Sequence, residues 1–194
     1  MQFVDLDMEC SYSYADYLKW QFEDRVELIK GKIFRMSPAP VTNHQIISGY
    51  ISNQIYDFLE GKTCMTFTAP FDVRLPGKSK DDSDILTVVQ PDICVICDRN
   101  KIDERGCLGA PDIVVEILSA GSNKKELRNK YEVYEQSGVK EYWVISPQNR
   151  TCIIYTLEQD QFVQSRVMVE GDMIHSAVLQ GFILDLAKVF DKLL

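Results

Sequence analysis

Residues 111–119 of the chain read PDIVVEILS, an apolar run that contains a single internal acid, Glu116. Apolar runs of this length, rich in valine and isoleucine, are typical of strands that are buried in a sheet. A carboxylate buried there without a partner costs several kcal/mol. A metal ion, a lysine or a hydrogen-bond network must therefore compensate the charge of Glu116, and a purely structural ion pair would also do so.

Strands and helices alternate on both sides of this run. We predict helices over 14–22, 43–60, 124–136 and 184–193, and strands over 25–29, 32–36, 63–73, 92–97, 113–118, 141–145, 152–157 and 162–169. This order favours an α/β or α+β fold, with a mixed central β-sheet flanked by helices and an antiparallel C-terminal extension.

Local signals mark several element boundaries. Ser13 is placed to cap the first helix, and Asn43 to cap the long amphipathic helix that Gly61 ends. Lys30-Gly31 predicts the turn of a hairpin between the first two strands.

Composition limits the class of protein. The chain has 194 residues, of which 45% are hydrophobic, so we expect one domain over 1–194. No apolar run is as long as a membrane span, and the first seven residues lack the basic start and apolar core of a secretory signal. We therefore expect a cytoplasmic protein.

The net charge of −8 argues against a protein that coats nucleic acid, because phosphate binding normally needs a basic surface. It does not exclude a nuclease, since metal-binding acids contribute negative charge that the ion offsets. It does predict weak, salt-sensitive affinity for nucleic acid, or a partner that brings the nucleic acid to the protein.

The six cysteines are expected to be reduced, because no export signal precedes them. Cys94 and Cys97 form a CxxC motif inside the predicted strand 92–97, where positions three apart face opposite sides of the sheet. We therefore expect buried thiols there, in preference to a zinc or redox site.

Two acids compete as partners of Glu116 on a metal ion. Asp112 lies on the same strand, roughly 13 Å away at about 3.3 Å per residue, whereas magnesium–oxygen bonds are about 2.1 Å. Asp92, which follows Pro91 and opens another strand, lies beside Glu116 if the two strands pair. An isolated Pro-Asp is also typical of a turn, so the geometry prefers Asp92 without deciding its role.

Three lysines on the helix 124–136 compete for the place beside these acids. Lys124 and Lys125 fall at the solvated start of the helix, and Lys130 flanks its apolar face with Tyr131 and Tyr134. Lys130 is therefore the preferred candidate, although a lysine at such a position also snorkels to the surface without any function.

A family resemblance joins these residues. Residues 111–119, followed by an acid, a lysine four positions later and SGVKEYWVI at 137–145, closely resemble the Uma family of predicted endonucleases, which is placed in the PD-(D/E)xK nuclease superfamily. The resemblance extends upstream to residues 26–33, 36–38 and His44-Gln45, and it covers about residues 17–190.

The resemblance implies a restriction-endonuclease-like domain that hydrolyses phosphodiester bonds, with DNA as the expected substrate and Mg²⁺, or else Mn²⁺, as the cofactor. Carried over residue by residue, it makes Asp92 and Glu116 the metal ligands and Lys130 the site lysine. It adds Glu27 as a fourth catalytic residue. The superfamily pattern puts lysine two positions after the acid, where this chain has Leu118, and the family is thought to have moved that lysine to the following helix.

Some alternatives stay open. Glu27 alternates with Val26 and Leu28 and could equally face solvent, and His44 is more typical of a capping or packing residue than of a catalyst. The fold could also serve as a catalytically silent binding or interaction module, which the acidic charge favours. Trp143 and the apolar residues of the C-terminal extension could supply a homodimer surface.

Overall fold

The structure is a computed structural model that describes residues 6–21, 25–36, 41–119 and 124–194, with Lys124 described by its backbone alone. Its helices are α1 (Tyr14–Tyr17), α2 (Thr42–Leu59), α3 (Lys124–Ser137) and α4 (Leu186–Phe190). Within the described ranges, no helix has both the length and the apolar character needed to cross a membrane.

The described strands are short, and most of them lie in two sheets. They are β1 (Val26–Ile29), β2 (Lys32–Arg35), β3 (Met65–Thr68), β4 (Val73–Arg74), β5 (Val88–Val89), β6 (Ile93–Ile96), β7 (Ile102–Asp103), β8 (Gly106–Leu108), β9 (Ile113–Ile117), β10 (Glu141–Ser146), β11 (Thr151–Glu158), β12 (Gln161–Gln164), β13 (Met168–Val169), β14 (Met173–His175) and β15 (Ile183–Asp185).

The larger sheet is built around the apolar run that opened the sequence. Its strand order is β12-β11-β10-β9-β6-β3, and β13 pairs with β11. Strand β9 runs parallel to β10 and antiparallel to β6. The predicted mixed sheet with helices around it and an antiparallel extension is confirmed, and the fold is mixed α+β.

The smaller sheet has the order β2-β1-β5-β4-β8-β7 and carries the predicted hairpin. The turn between β1 and β2 is formed by Lys30 and Gly31, with φ angles of 52° and 77°. Two positive φ angles are what a two-residue turn needs to match the right-handed twist of its strands. The hairpin prediction is therefore confirmed.

Strand β9 is buried on both faces. Ile113, Val115 and Ile117 pack into one core cluster, together with residues of α2 and α4. Val114 packs into a second cluster that includes residues of α3. Because side chains alternate along a strand, Glu116 faces the same side as Val114, which is the side that α3 covers.

Several local predictions need correction. Helix α2 begins at Thr42 after Val41, so Asn43 does not cap it, and the Asn43 side chain instead bonds both the N–H and the carbonyl of Leu194. The prediction of one strand over 63–73 is wrong, because β3 and β4 belong to different sheets. The first helix is one turn long, and the last part of its predicted range lies outside the described residues.

The cysteine prediction is half right. Cys94 is buried in one cluster while Cys97 packs against the other, as expected for positions three apart on a strand. Cys97, however, forms a disulfide with Cys64, so it is not a free thiol. The pairing joins residues 33 positions apart, which lie on adjacent strand ends because β3 pairs with β6.

The expected role of Trp143 in a dimer surface is wrong, because its side chain is fully buried. Its indole Nε1 donates to Oε2 of Glu141, 3.0 Å away. Glu141 is itself buried at the start of β10, and its carboxylate also accepts hydrogen bonds from Ser176, Ala177 and Val178. This carboxylate therefore fastens the loop between β14 and β15 to the central sheet.

Replacing Glu141 by glutamine should lower the free energy of unfolding by about 3 kcal/mol. The amide turns an NH₂ group toward donors, and a hydrogen bond to a charged group contributes about 1.5–3 kcal/mol. Urea unfolding measures the loss. The matched control is Glu158→Gln at the exposed end of β11, which should change the stability by less than about 0.5 kcal/mol. Equal stability of both variants would contradict the role of Glu141.

Candidate functional site

Glu116 is compensated by a lysine and a hydrogen-bond network. It lies on β9 with 8% of its surface exposed. Its Oε1 accepts a hydrogen bond from Nζ of Lys130 at 3.0 Å and another from the hydroxyl of Tyr134 at 2.8 Å. Both donors come from α3, the helix that covers this side of β9.

Lys130 lies between two glutamates that come from different sheets. Its Nζ is 3.0 Å from Oε1 of Glu116 and 3.0 Å from Oε1 of Glu27 on β1. Glu126, one turn earlier on α3, lies 3.9 Å away. Lys130 is buried and Lys125 is exposed, which is what the phase of the helix predicted.

The burial of these charges shifts their proton equilibria. Burial raises the pKa of Glu116, Lys130 opposes this shift, and the neighbouring carboxylates of Asp92 and Glu27 add to it. For Lys130, burial favours the neutral amine, but Glu116 and Glu27 outweigh it and raise the pKa well above its ordinary value. Lys130 is therefore a fixed positive charge.

Asp92 lies across from Glu116. The antiparallel register of β6 and β9 pairs Ile93 with Val115. One position further along this register, Asp92 lies opposite Glu116. Oδ2 of Asp92 accepts the N–H of Ile117 at 2.7 Å, and its Oδ1 is 3.1 Å from Nε2 of His44 on α2. The carboxylate of Asp92 is thus oriented from two sides.

Glu27 does not face solvent. All four residues of β1 are buried, and Glu27 is 1% exposed. Its Oε1 accepts the N–H of Gln90 at 2.7 Å in addition to contacting Lys130. Its Oε2 is buried without a hydrogen-bond partner among the described residues. The solvent-facing alternative for Glu27 is therefore wrong, because β1 is buried on both faces.

The match of the sequence to a family model decides the family. The model described as "Uma2: Putative restriction endonuclease" matches residues 14–187. The chain belongs to this Uma2 family. Membership supports a nuclease-like function.

Two individual proteins extend the Uma2 comparison. An "uncharacterized protein slr1290" from Synechocystis sp. is 22% identical over 151 residues, which are 76% of this chain and 75% of that protein. A crystal structure from Anabaena variabilis, described as "a putative nuclease belonging to DUF820", superposes with a TM-score of 0.72 at 21% identity. That superposition covers 94% of this chain and 99% of the other, and it shows that the two share a fold.

Asp112, the rejected partner, lies at the opposite end of β9 in this Uma2 chain. Its Oδ2 accepts the N–H of Cys97 at 2.7 Å, and its Oδ1 is 2.7 Å from Nζ of Lys140. A cleft of about 450 Å³ opens beside this pair, with Thr156 and Val178 also in its lining. Neither Asp92 nor Glu116 lines that cleft, so it is separate from the cluster around Lys130.

Three residues of the cluster were missed from the sequence. His44 was interpreted as a capping or packing residue, yet it contacts Asp92. Tyr134 was noted only for its helix face, and Gln90 was not noted at all. The signal for His44 and Gln90 was their position in the chain: His44 stands in the resemblance beside Gln45, and Gln90 directly precedes the Pro91-Asp92 pair.

The oxygen atoms of the cluster are suited to a hard divalent cation. Within the described parts of the chain, no group of three or more acids, histidines or cysteines is arranged to hold a metal ion by itself. Mg²⁺ does not require such a group, because it is commonly bound by one or two carboxylates with water and substrate phosphate completing its shell. Asp92 and Glu116 are the two carboxylates of the cluster that face each other across β6 and β9.

Proposed function

We propose that this protein is a Mg²⁺-dependent endonuclease that hydrolyses phosphodiester bonds in DNA. The observation that carries the proposal is the position of the Lys130 ammonium, which lies 3.0 Å from the carboxylates of both Glu27 and Glu116. Glu116 lies on β9, which pairs with the strand that follows Asp92. Two carboxylates and a charged lysine in this arrangement suit phosphoryl chemistry, in which catalysis depends on positioning and charge.

Asp92 and Glu116 would hold the cation. Oε2 of Glu27, which has no hydrogen-bond partner in the described part of the chain, marks a local excess of negative charge that a cation would balance. When bound, the ion would neutralise charge on the phosphate and lower the pKa of a water molecule. Mn²⁺ has a similar preference for oxygen ligands and should substitute for Mg²⁺.

Lys130 would act as an electrostatic group. Because its pKa is raised, it stays protonated and cannot serve as the general base at neutral pH. Its N–H groups can instead orient the attacking water and stabilise the negative charge that develops on the phosphate oxygens. Glu27 would fix the position of the ammonium, and Tyr134 would fix the carboxylate of Glu116.

The direct test is incubation of the purified chain with plasmid DNA in Mg²⁺, in Mn²⁺ and in EDTA. The expected result is nicking or linearisation in either metal and none in EDTA. An RNA of the same sequence, run in parallel, tests the preference for DNA. Failure to cleave any nucleic acid in either metal, at low salt and high protein concentration, would contradict the proposal.

A binding module without catalysis is the second candidate, and the net charge of −8 favours it. The two candidates differ in their affinity for metal. Calorimetric titration with Mg²⁺ should show one saturating event at millimolar concentration or below if the chain is a nuclease. A titration without heat at millimolar Mg²⁺ and Mn²⁺ would favour the module.

His44 should act as a positioning residue for Asp92. We expect His44→Ala to weaken Mg²⁺ binding by about 10- to 100-fold, which is the usual effect of removing a group that orients a metal ligand. Calorimetry measures the affinity, and the cleavage rate at saturating Mg²⁺ should recover in part. The control is His175→Ala, which removes the exposed histidine of β14. Equal Mg²⁺ affinity in both variants would exclude this role.

A further inference from the structure

A cleft of about 300 Å³ opens beside the segment that carries Asp92. Asp72, Gln90 and Arg105 contribute polar groups to its lining, and Phe71 contributes an aromatic ring. The N–H of Ala69 donates to the carbonyl of Asp92 at 3.1 Å. The chain segment that enters the wall of the cleft after Ala69 is therefore hydrogen-bonded to the backbone of Asp92. Gln90 precedes Asp92 by two residues, a span of about 7 Å at most.

Gln90 connects the cleft with the cluster around Lys130. Its main-chain N–H donates to Oε1 of Glu27, while its side-chain Nε2 donates to Oδ1 of Asp72 at 2.8 Å. Its Oε1 accepts a hydrogen bond from Arg25 at 2.6 Å. The amide of Gln90 is therefore held in place, and this one residue both lines the cleft and contacts Glu27.

The charges of the cleft exclude a phosphate. Asp72, Asp103 and Glu104 line it, and the positive charge of Arg105 is already paired with Asp82 at 2.6 Å. A metal ion is not favoured either, because Oδ1 of Asp72 already accepts from Gln90 and Oδ1 of Asp103 already accepts from Arg74. The lining suits an uncharged ligand that donates hydrogen bonds.

Asp72 supplies the acceptor for such a ligand. Its Oδ1 is used by Gln90 and by the hydroxyl of Tyr17, whereas Oδ2 receives no hydrogen bond from the part of the chain that the structure describes. Burial raises the pKa of Asp72, and the donors Gln90 and Tyr17 act in the opposite sense. A further N–H donor would replace the hydrogen bonds to water that burial removes from Asp72.

Backbone packing keeps this acceptor in place. Gly106 has a φ of 114°, and a Cβ atom there would lie 2.2 Å from the carbonyl oxygen of Asp72. The same carbonyl accepts the N–H of Cys107 at 2.8 Å. Only glycine allows β8 to approach Asp72 this closely.

The aromatic wall suits a flat ligand. The rings of Phe71 and Phe67 are stacked, with centroids 4.2 Å apart and planes at 12°. Phe67 covers one face of the Phe71 ring and so fixes its orientation. A planar heterocycle can pack against the part of the ring that lines the cleft, as bases do on aromatic side chains.

We propose that this cleft binds one nucleobase of the nucleic-acid strand held at Asp92 and Glu116, and that it prefers guanine. The inference rests on the proposed nuclease function. Guanine presents two adjacent donors, N1–H and the N2 amino group, on one edge. Oδ2 of Asp72, which takes no donor from the described residues, has two lone pairs to accept them. Reading an unstacked base by its hydrogen-bonding edge and by aromatic packing is a general mode of recognition.

The test uses the full chain and labelled nine-nucleotide thymidine strands whose central position is guanine, hypoxanthine, adenine or abasic. Single strands avoid the cost of unstacking a base from a duplex. Fluorescence anisotropy in Ca²⁺, which also takes oxygen ligands, measures binding with a cation in place, and a gel of the same samples shows whether the strands stay intact. We expect the guanine strand to bind about tenfold more tightly than the abasic strand, within the range that base packing provides. The hypoxanthine strand, which lacks the N2 amino group, should lie between them.

Asp72→Asn tests the acceptor directly. The amide keeps the size of the side chain and one acceptor for Gln90 and Tyr17, but it replaces the other acceptor by a donor. The guanine preference should fall below twofold, while the abasic affinity stays unchanged. The control Asp160→Asn alters an exposed residue in the turn between β11 and β12 and should keep the preference.

The outcomes separate this inference from the proposed function. The base site is overturned if the guanine and abasic strands bind with equal affinity, or if neither strand binds. It is also overturned if the guanine preference survives Asp72→Asn. Cleavage of the all-thymidine strand in Mg²⁺ is measured separately. Cleavage without a guanine preference rejects only the base site, and a guanine preference without cleavage rejects only the nuclease function.

Discussion

Replacing Glu116 by glutamine should reduce Mg²⁺-dependent DNA cleavage at least about a hundredfold, since the loss of one strong electrostatic group at a reacting phosphate costs about 10²–10³ in rate. Glutamine retains the shape of the side chain and an oxygen that can accept from Lys130 and Tyr134. The charge that would hold the cation is lost, so the variant should also fail to show the calorimetric Mg²⁺ event.

The matched control is Asp112→Asn, which removes a buried carboxylate from the other end of the same strand. Asp112 contacts Lys140 and lies away from the cluster, so this variant should cleave at a rate within about twofold to threefold of the parent chain. Thermal unfolding of both variants shows whether the fold is retained. Cleavage by Glu116→Gln at the parental rate would refute the assignment of Glu116.

Replacing Lys130 by methionine should have the largest effect on stability. Glu27 and Glu116 would remain buried without their shared positive charge, and removing one partner of a buried ion pair costs about 3–5 kcal/mol. Urea unfolding at pH 8 measures the difference. The control Lys19→Met removes an exposed lysine, with 72% of its side chain accessible and Asp16 as its partner, and should cost less than about 1 kcal/mol.

The stability loss caused by Lys130→Met should depend on pH in a defined direction. Burial raises the pKa of Glu116, and Lys130 is the main group that opposes this. Without Lys130 the folded state keeps the proton on Glu116 at pH values where the unfolded chain has released it, so its stability falls as the pH rises above the ordinary carboxyl range. Since the pKa of Glu116 is about 8 with Lys130 in place, the difference from the parent should be smaller at pH 6 than at pH 9. A loss that is equal at both pH values would contradict the ionic role.

Local pattern was sufficient where a residue's neighbours in the chain decide its environment. The apolar run 113–118 predicted a buried strand and singled out Glu116, because a charge in such a run needs compensation. The turn at Lys30-Gly31 was predicted for the same reason, since the turn residues themselves adopt the positive φ angles. The phase of a helix separated Lys130 from Lys125.

Local pattern failed where the environment comes from distant parts of the chain. Glu27 could not be distinguished from a solvent-facing residue, because the groups that bury it belong to α3 and to the segment around Gln90. His44 looked like a packing residue until α2 was placed against Asp92. Cys97 looked like a free thiol because the pairing of β3 with β6 is not visible in the sequence.

The sequence by itself determined the long helices, the strand that carries Glu116 and the need of this carboxylate for a partner, since these follow from hydrophobic periodicity and from the cost of burying charge. It also determined the family through the residues around Glu116. Only the tertiary structure decided that Lys130 lies between Glu27 and Glu116, that His44 contacts Asp92, and that a cleft containing Asp72 adjoins them. The physical reason is that these contacts join separate elements, and strand pairing and helix packing set their distances.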